Sequence, residues 1–205
     1  MKKARKALYT LCAALLLVSM TVGVTVAYLT SEDTVVNTFT TGKVLITMDE
    51  APVDAAGQET QGDRVKTNSY KVYPGGSYDK DPTVHVDPAS ETAWLRVKVT
   101  FTNSAAADAL GLPMMEMFQN INSNLTIGEK QYDANDNVYY IATYNTTVKA
   151  GENIVLFDGI EVPSTLTNDE LALLNNVQMQ IVAYAVQEDG FGTAAEAFAA
   201  ANLGV

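Results

Sequence analysis

Two runs of strict alternation constrain this chain more than any other feature. In Ala93-Trp94-Leu95-Arg96-Val97-Lys98-Val99-Thr100-Phe101, Leu95, Val97, Val99 and Phe101 point one way, while Arg96, Lys98 and Thr100 point the other. Period two marks a half-buried strand, because successive side chains leave opposite faces of a pleated backbone. Residues 177–187 repeat the arrangement, with Val177, Met179, Ile181, Ala183 and Ala185 on one face. On a helix either stripe would be scattered around the cylinder.

Shorter candidate strands fall at 42–48, 69–73, 83–87, 125–127, 138–144 and 153–157. Turn chemistry separates them: Pro74-Gly75-Gly76, Asp81-Pro82, Asp133-Ala134-Asn135-Asp136-Asn137 and Ala150-Gly151-Glu152. Many short strands without alternating helices predict an all-β fold, an antiparallel jelly-roll-like β-sandwich formed by residues 28–205 as one domain. A few short helices are expected. One lies at 169–175, capped by Thr167 or Asn168, one at 193–200 behind Thr193, and a short piece at 114–119 after Pro113. The polar stretch 52–68, with Gly57 and Gly62, reads as a mobile loop or hairpin tip.

The beginning of the chain has a different character. Lys2, Lys3, Arg5 and Lys6 precede an apolar run from Ala7 to Ala27, and no acidic residue occurs before Glu32. This is the layout of a helical secretory signal peptide, residues 1–27, with Thr25-Val26-Ala27 offering small residues for a cut between Ala27 and Tyr28. The alternative is a retained anchor, since the apolar run is long enough to span a bilayer. Cys12, the only cysteine, lies within the run. Beyond it no disulfide framework or thiolate site is available, so stability has to come from a buried core.

Charge narrows the partners. The chain carries 13 Lys+Arg against 24 Asp+Glu, a net charge of −11 that becomes −15 without the four leader cations. A phosphate-facing nucleic-acid surface is excluded on that balance, and anionic membranes are poor partners once the leader is gone.

Residues that could carry chemistry are few. The one histidine, His85, sits in an alternating segment beside Thr83 and Asp87 and reads as a surface strand residue. With a single imidazole there is no zinc motif, and no Gly-x-Ser-x-Gly elbow marks a nucleophile. Asp133, Asn135 and Asn137 begin like an oxygen-ligand calcium loop, but the sixth position is Val138 and the twelfth is Tyr144, so a hairpin turn of αL-tolerant residues is the preferred reading. Tyr139, Tyr140 and Tyr144 would favour a binding surface if exposed as a cluster. No enzyme signature emerges, no catalytic residue is nominated, and no cofactor is called for beyond the calcium candidate.

Four stretches carry a resemblance to a known family. They are Gly23-Val24-Thr25-Val26-Ala27-Tyr28-Leu29-Thr30 with Asn37-Thr38-Phe39-Thr40-Thr41-Gly42-Lys43-Val44; Tyr73-Pro74-Gly75-Gly76-Ser77-Tyr78-Asp79-Lys80-Asp81-Pro82-Thr83-Val84; Trp94 to Val99; and Leu156-Phe157-Asp158-Gly159-Ile160-Glu161-Val162-Pro163 with Ala183-Tyr184-Ala185-Val186-Gln187 and the following Gly190-Phe191. In this order they resemble the TasA/camelysin family, secreted proteins of Gram-positive bacteria whose leader is removed by a dedicated signal peptidase. The resemblance implies a jelly roll, export, cleavage before Tyr28, and residence at the cell surface or in the biofilm matrix. For fibre-forming members it implies donor-strand exchange between copies or homologous subunits. Residues 28–41 are then the candidate donor strand, with Val35, Val36, Thr38 and Phe39 as its gripping residues; folding back as the first strand of its own sandwich is the alternative. Camelysin is classed as a metallopeptidase, an activity for which this sequence offers no zinc-binding motif. An adhesin on the same scaffold is the other alternative.

Overall fold

The structure is a computed structural model that describes residues 42–174 and 177–203. These lie within one compact unit, Thr41–Val205. The leader, the Ala27–Tyr28 bond and the candidate donor strand with Val35, Val36, Thr38 and Phe39 fall outside the described residues.

The alternating runs form the two longest strands, β4 (Ala93–Thr102) and β11 (Gln178–Gln187), which pair antiparallel along all ten residues of each. Both are rich in the β-branched and aromatic residues that fit a pleated surface. Asn103, at φ +57°, turns the chain away at the end of β4. On its other side β4 pairs with β8 (Val138–Tyr144), whose far edge is shared by β6 (Leu125–Ile127) and β7 (Gln131–Tyr132). Among the described residues, the five-stranded sheet therefore ends in β11.

Two three-stranded sheets cover its inner face. One runs in the order β1 (Ile46–Asp49), β3 (Thr83–Val86), β9 (Asn153–Val155); the other in the order β2 (Ser77–Asp79), β10 (Gly159–Glu161), β5 (Phe118–Gln119). Every pairing is antiparallel. Leu95, Val97, Val99 and Phe101 from the large sheet meet Val84, Val86 and Ile154 from one small sheet and Phe118 from the other in a single apolar core. The result is an all-β sandwich. Phe118 stacks on Phe157 with ring centroids 4.3 Å apart, joining the core to the chain that leads into β10.

Three short helices complete the described chain: α1 (Ala105–Ala109), α2 (Asn168–Leu174) and α3 (Ala194–Ala200). The capping chemistry read for the last two is present. Thr167 and Glu170 bond reciprocally, and the Thr193 hydroxyl accepts from the Glu196 N–H.

Several expectations need correction. Residues 114–119 are not helical: Phe118 is drawn into β5 opposite Ile160, and its packing on Phe157 outweighs helical propensity. Residues 69–73 form no strand: the Tyr78 hydroxyl takes the Lys71 carbonyl and the Tyr73 N–H, and the Gly76 N–H turns back onto the Tyr73 carbonyl. Helix α1 was not expected, although Ser104 followed by three alanines is a fair signal for it. Ser104 does not cap that helix; its buried hydroxyl accepts from the Val138 N–H and ties β4 to β8. Residues 52–68 contain an antiparallel bridge, Val53 to Glu59, closed by a turn at Asp54, which matches the hairpin reading.

Candidate functional site

The core is complete under β4 and incomplete under β11. Leu95, Val97, Val99 and Phe101 are all buried, whereas their partners Ala185, Ala183, Ile181 and Met179, on the same face one strand over, are only half-buried. The space beside Met179 and Ile181 is a groove of about 910 Å3. Its floor is apolar, made by Phe101, Met179 and Ile181 from the large sheet and Phe118, Ile160 and Val162 from the opposite layer.

Methionine is concentrated there. Met48, Met114, Met117 and Met179 all line the groove, leaving Met115 as the one methionine beyond the leader that does not. Unbranched, polarizable side chains suit a surface that has to mould to an occupant. Two strands that flank it, β1 and β11, each stand at the end of their sheet's strand order among the described residues.

The polar end of the groove is built from the loop after β1 and from β2 and the residue that follows it. The Glu50 carboxylate and the Lys80 ammonium form an ion pair, both side chains less than a tenth exposed. The Tyr70 ring lies beside Lys80, and burial, followed by the nearby Glu50 charge, pushes its phenol well above the ordinary value. Tyr78 is raised by burial as well; its hydroxyl donates to the Lys71 carbonyl at 3.0 Å and accepts from the Tyr73 N–H at 3.0 Å.

Behind this end, Arg64 gathers the loop onto two strands. Its guanidinium meets the carboxylates of Asp49 and Asp81, the carbonyls of both residues, and the Thr83 hydroxyl. Burial works to raise the Asp49 carboxyl, but hydrogen bonds from Arg64 and His85 outweigh it and hold the group below the usual range. His85 has both ring nitrogens engaged, Nε2 with Asp49 Oδ1 at 2.8 Å and Nδ1 with Asn153 Oδ1 at 2.7 Å. The Asp49 hydrogen bond, foremost, raises its pKa.

The other sequence candidates are dispersed. Asp133 accepts from the Asn135 and Asn137 N–H groups through Oδ1 and from Asn137 Nδ2 through Oδ2, so its carboxylate closes the β7–β8 turn, with Asp136 at φ +58°. Asp133, Asn135 and Asn137 thus form the hairpin turn, and among the described residues no group of three His, Cys, Asp or Glu side chains is placed to hold a metal. The three tyrosines do not make one surface. Tyr140 and Tyr144 share the inward face of β8 with Val138, and Tyr139 points outward under the Lys98 ammonium, 4.2 Å from its ring centroid. Among the described residues no helix is long and apolar enough to cross a membrane.

The groove was not legible as a site in the sequence. The one signal was the cluster Met114, Met115 and Met117, apolar without period two. Comparison with protein-family models, with curated proteins and with solved structures gives no match in any of the three.

Proposed function

We propose that this chain is a secreted structural protein of the cell surface or biofilm matrix, whose copies join when the extended N-terminal segment of one enters the groove of the next. The observation that carries the reading is the half-covered inner face of β11, which among the described residues is a sheet-edge strand beside an apolar groove. An added strand gains a row of main-chain hydrogen bonds along a free edge, together with pockets for alternate side chains. Residues 28–41 have the composition for it: Val35, Val36, Thr38 and Phe39 are β-formers, and no proline interrupts them.

Export follows from the leader, with cleavage between Ala27 and Tyr28 by a dedicated signal peptidase freeing the segment. The resemblance to the TasA/camelysin family supports the same reading, with a jelly-roll connectivity. The partners are then further copies or homologous matrix subunits, with no membrane or nucleic acid involved after the leader is removed. No catalytic role is assigned.

The test is electron microscopy of the chain beginning at Tyr28, beside one lacking residues 28–41, with and without calcium at moderate salt. Filaments from the longer chain alone are the expected result. Monodisperse particles in every condition would overturn the proposal and shift the role to an accessory surface protein or adhesin.

A further inference from the structure

One wall of the groove is unlike the rest. Eight consecutive residues, Val65 to Val72, line it, and none of them is buried. Among the described residues, no main-chain N–H or C=O from Lys66 to Val72 pairs with another main-chain group. A segment that forms the wall of a groove without joining a strand forgoes the ladder hydrogen bonds that normally hold such a segment in place.

Side chains hold it instead. Asn68 donates from Nδ2 to the Ala51 carbonyl at 2.8 Å and accepts at Oδ1 from the Val53 N–H at 3.3 Å. The Tyr70 hydroxyl donates to the Asp79 carbonyl at 3.1 Å, and that of Tyr78 to the Lys71 carbonyl. The two ends are fixed more firmly. At one, Val65 and Glu50 exchange both backbone hydrogen bonds next to the Arg64 cluster; at the other, the Gly75 N–H donates to Val162 and the Gly76 N–H to Tyr73. The segment has fixed ends and a lightly pegged middle, the construction that opens locally before the rest of the fold.

We propose that residues 66–72 are a removable strap, which an incoming strand must lift to enter the groove. The inference rests on reading the groove as a strand acceptor. The strap keeps the methionine-lined groove covered in the unassembled protein, and it sets the rate of entry, because only the fraction of molecules with the strap lifted can bind. The entering strand supplies the edge pairing that the strap does not make.

The experiment uses the full chain carrying Cys12→Ser, to remove the native thiol, and Phe39→Asp, to keep its own segment out. The probe is a fluorescein-labelled peptide of residues 28–41, followed by anisotropy. Ala51→Cys with Asn68→Cys locks the strap as a disulfide, confirmed by mass, and Asn68→Ala with Tyr70→Phe removes two pegs. The oxidised lock should slow association by about tenfold or more against the same protein reduced, and the peg-less variant should speed it several-fold. Equal rates for the oxidised and reduced lock would overturn the strap while leaving the acceptor reading intact. No binding to any form, the reduced lock and the peg-less variant included, would overturn the acceptor reading and the strap with it.

Discussion

Ile181 stands directly opposite Val99 in the β11–β4 ladder and faces the same way, yet Val99 is 4% exposed and Ile181 is only half-buried. Neighbouring positions on one sheet face normally share a cover, so the difference locates where the second layer stops. It has an energetic consequence that separates stability from assembly. Leu95→Ala, at a fully buried position of β4, should cost about 3 kcal/mol, the usual range for a core truncation that leaves a cavity. Ile181→Ala should cost about 1 kcal/mol in the unassembled protein, because less apolar area leaves water there. The same Ile181→Ala change should weaken self-association more than Leu95→Ala does. Urea midpoints and sedimentation of the two variants check both halves.

Phe39→Asp should abolish filaments while leaving secretion intact. A carboxylate carried into an apolar groove has no partner on its floor and would have to be buried unpaired or protonated. Micrographs of the secreted variant are the check, and filaments of unchanged number would remove Phe39 from the proposed strand.

How much of this could be read from the residues depends on the range of the interaction. Alternation in β4 and β11 is local, so both strands and their inward faces were legible. Thr193 and Thr167 announced their helices because a cap involves residues three apart. Failures came where distant packing decides. Phe118 looks helical after Pro113 until Phe157 and Ile160 are beside it. Residues 69–73 have strand composition but, among the described residues, no strand edge that they join. Tyr139 and Tyr140 read as one cluster, whereas adjacency in a strand puts them on opposite faces. His85 gave no sign of its partners, because Asp49 and Asn153 reach it only through the registers of β1 and β9. The groove was least legible of all, since it is defined by where two layers fail to meet.

Gly76 and Tyr78 offer a packing test at the groove's end. A Cβ on Gly76 would overlap the Tyr78 phenol, so Gly76→Ala forces the ring to shift and should cost about 2 kcal/mol, as overpacked sites do. Tyr78→Phe alone should cost about 1 kcal/mol through lost hydrogen bonds to Lys71 and Tyr73. The two changes touch the same atoms, because the hydroxyl is part of the clash. The double variant should therefore lose less stability than the sum of the singles, and a double-mutant cycle by thermal or urea denaturation measures the difference. Strict additivity would show that the phenol moves aside freely.

Stability should also depend on pH through His85, in a direction set by its neighbours. Asp49 Oδ1 and Asn153 Oδ1 accept from the two ring nitrogens of the protonated ring, burial and then the Arg64 charge oppose them, and the balance raises the pKa above its ordinary 6.5. A group with a raised folded-state pKa binds its proton more tightly in the native protein than in the unfolded chain. Its contribution is fully present below about pH 6.5 and is lost as the pH rises through the higher folded value. Asp49 works at the other end: with its pKa lowered, its contribution is present above about pH 4 and disappears as the pH falls through the folded value. The wild type should therefore be most stable at mildly acidic pH, relative to His85→Gln, which keeps a polar side chain but cannot titrate near neutrality. Urea midpoints of both proteins from pH 5 to 9 provide the measurement. The gap between them should narrow as the pH rises past 6.5, and a gap that stays constant would show that His85 contributes by packing alone.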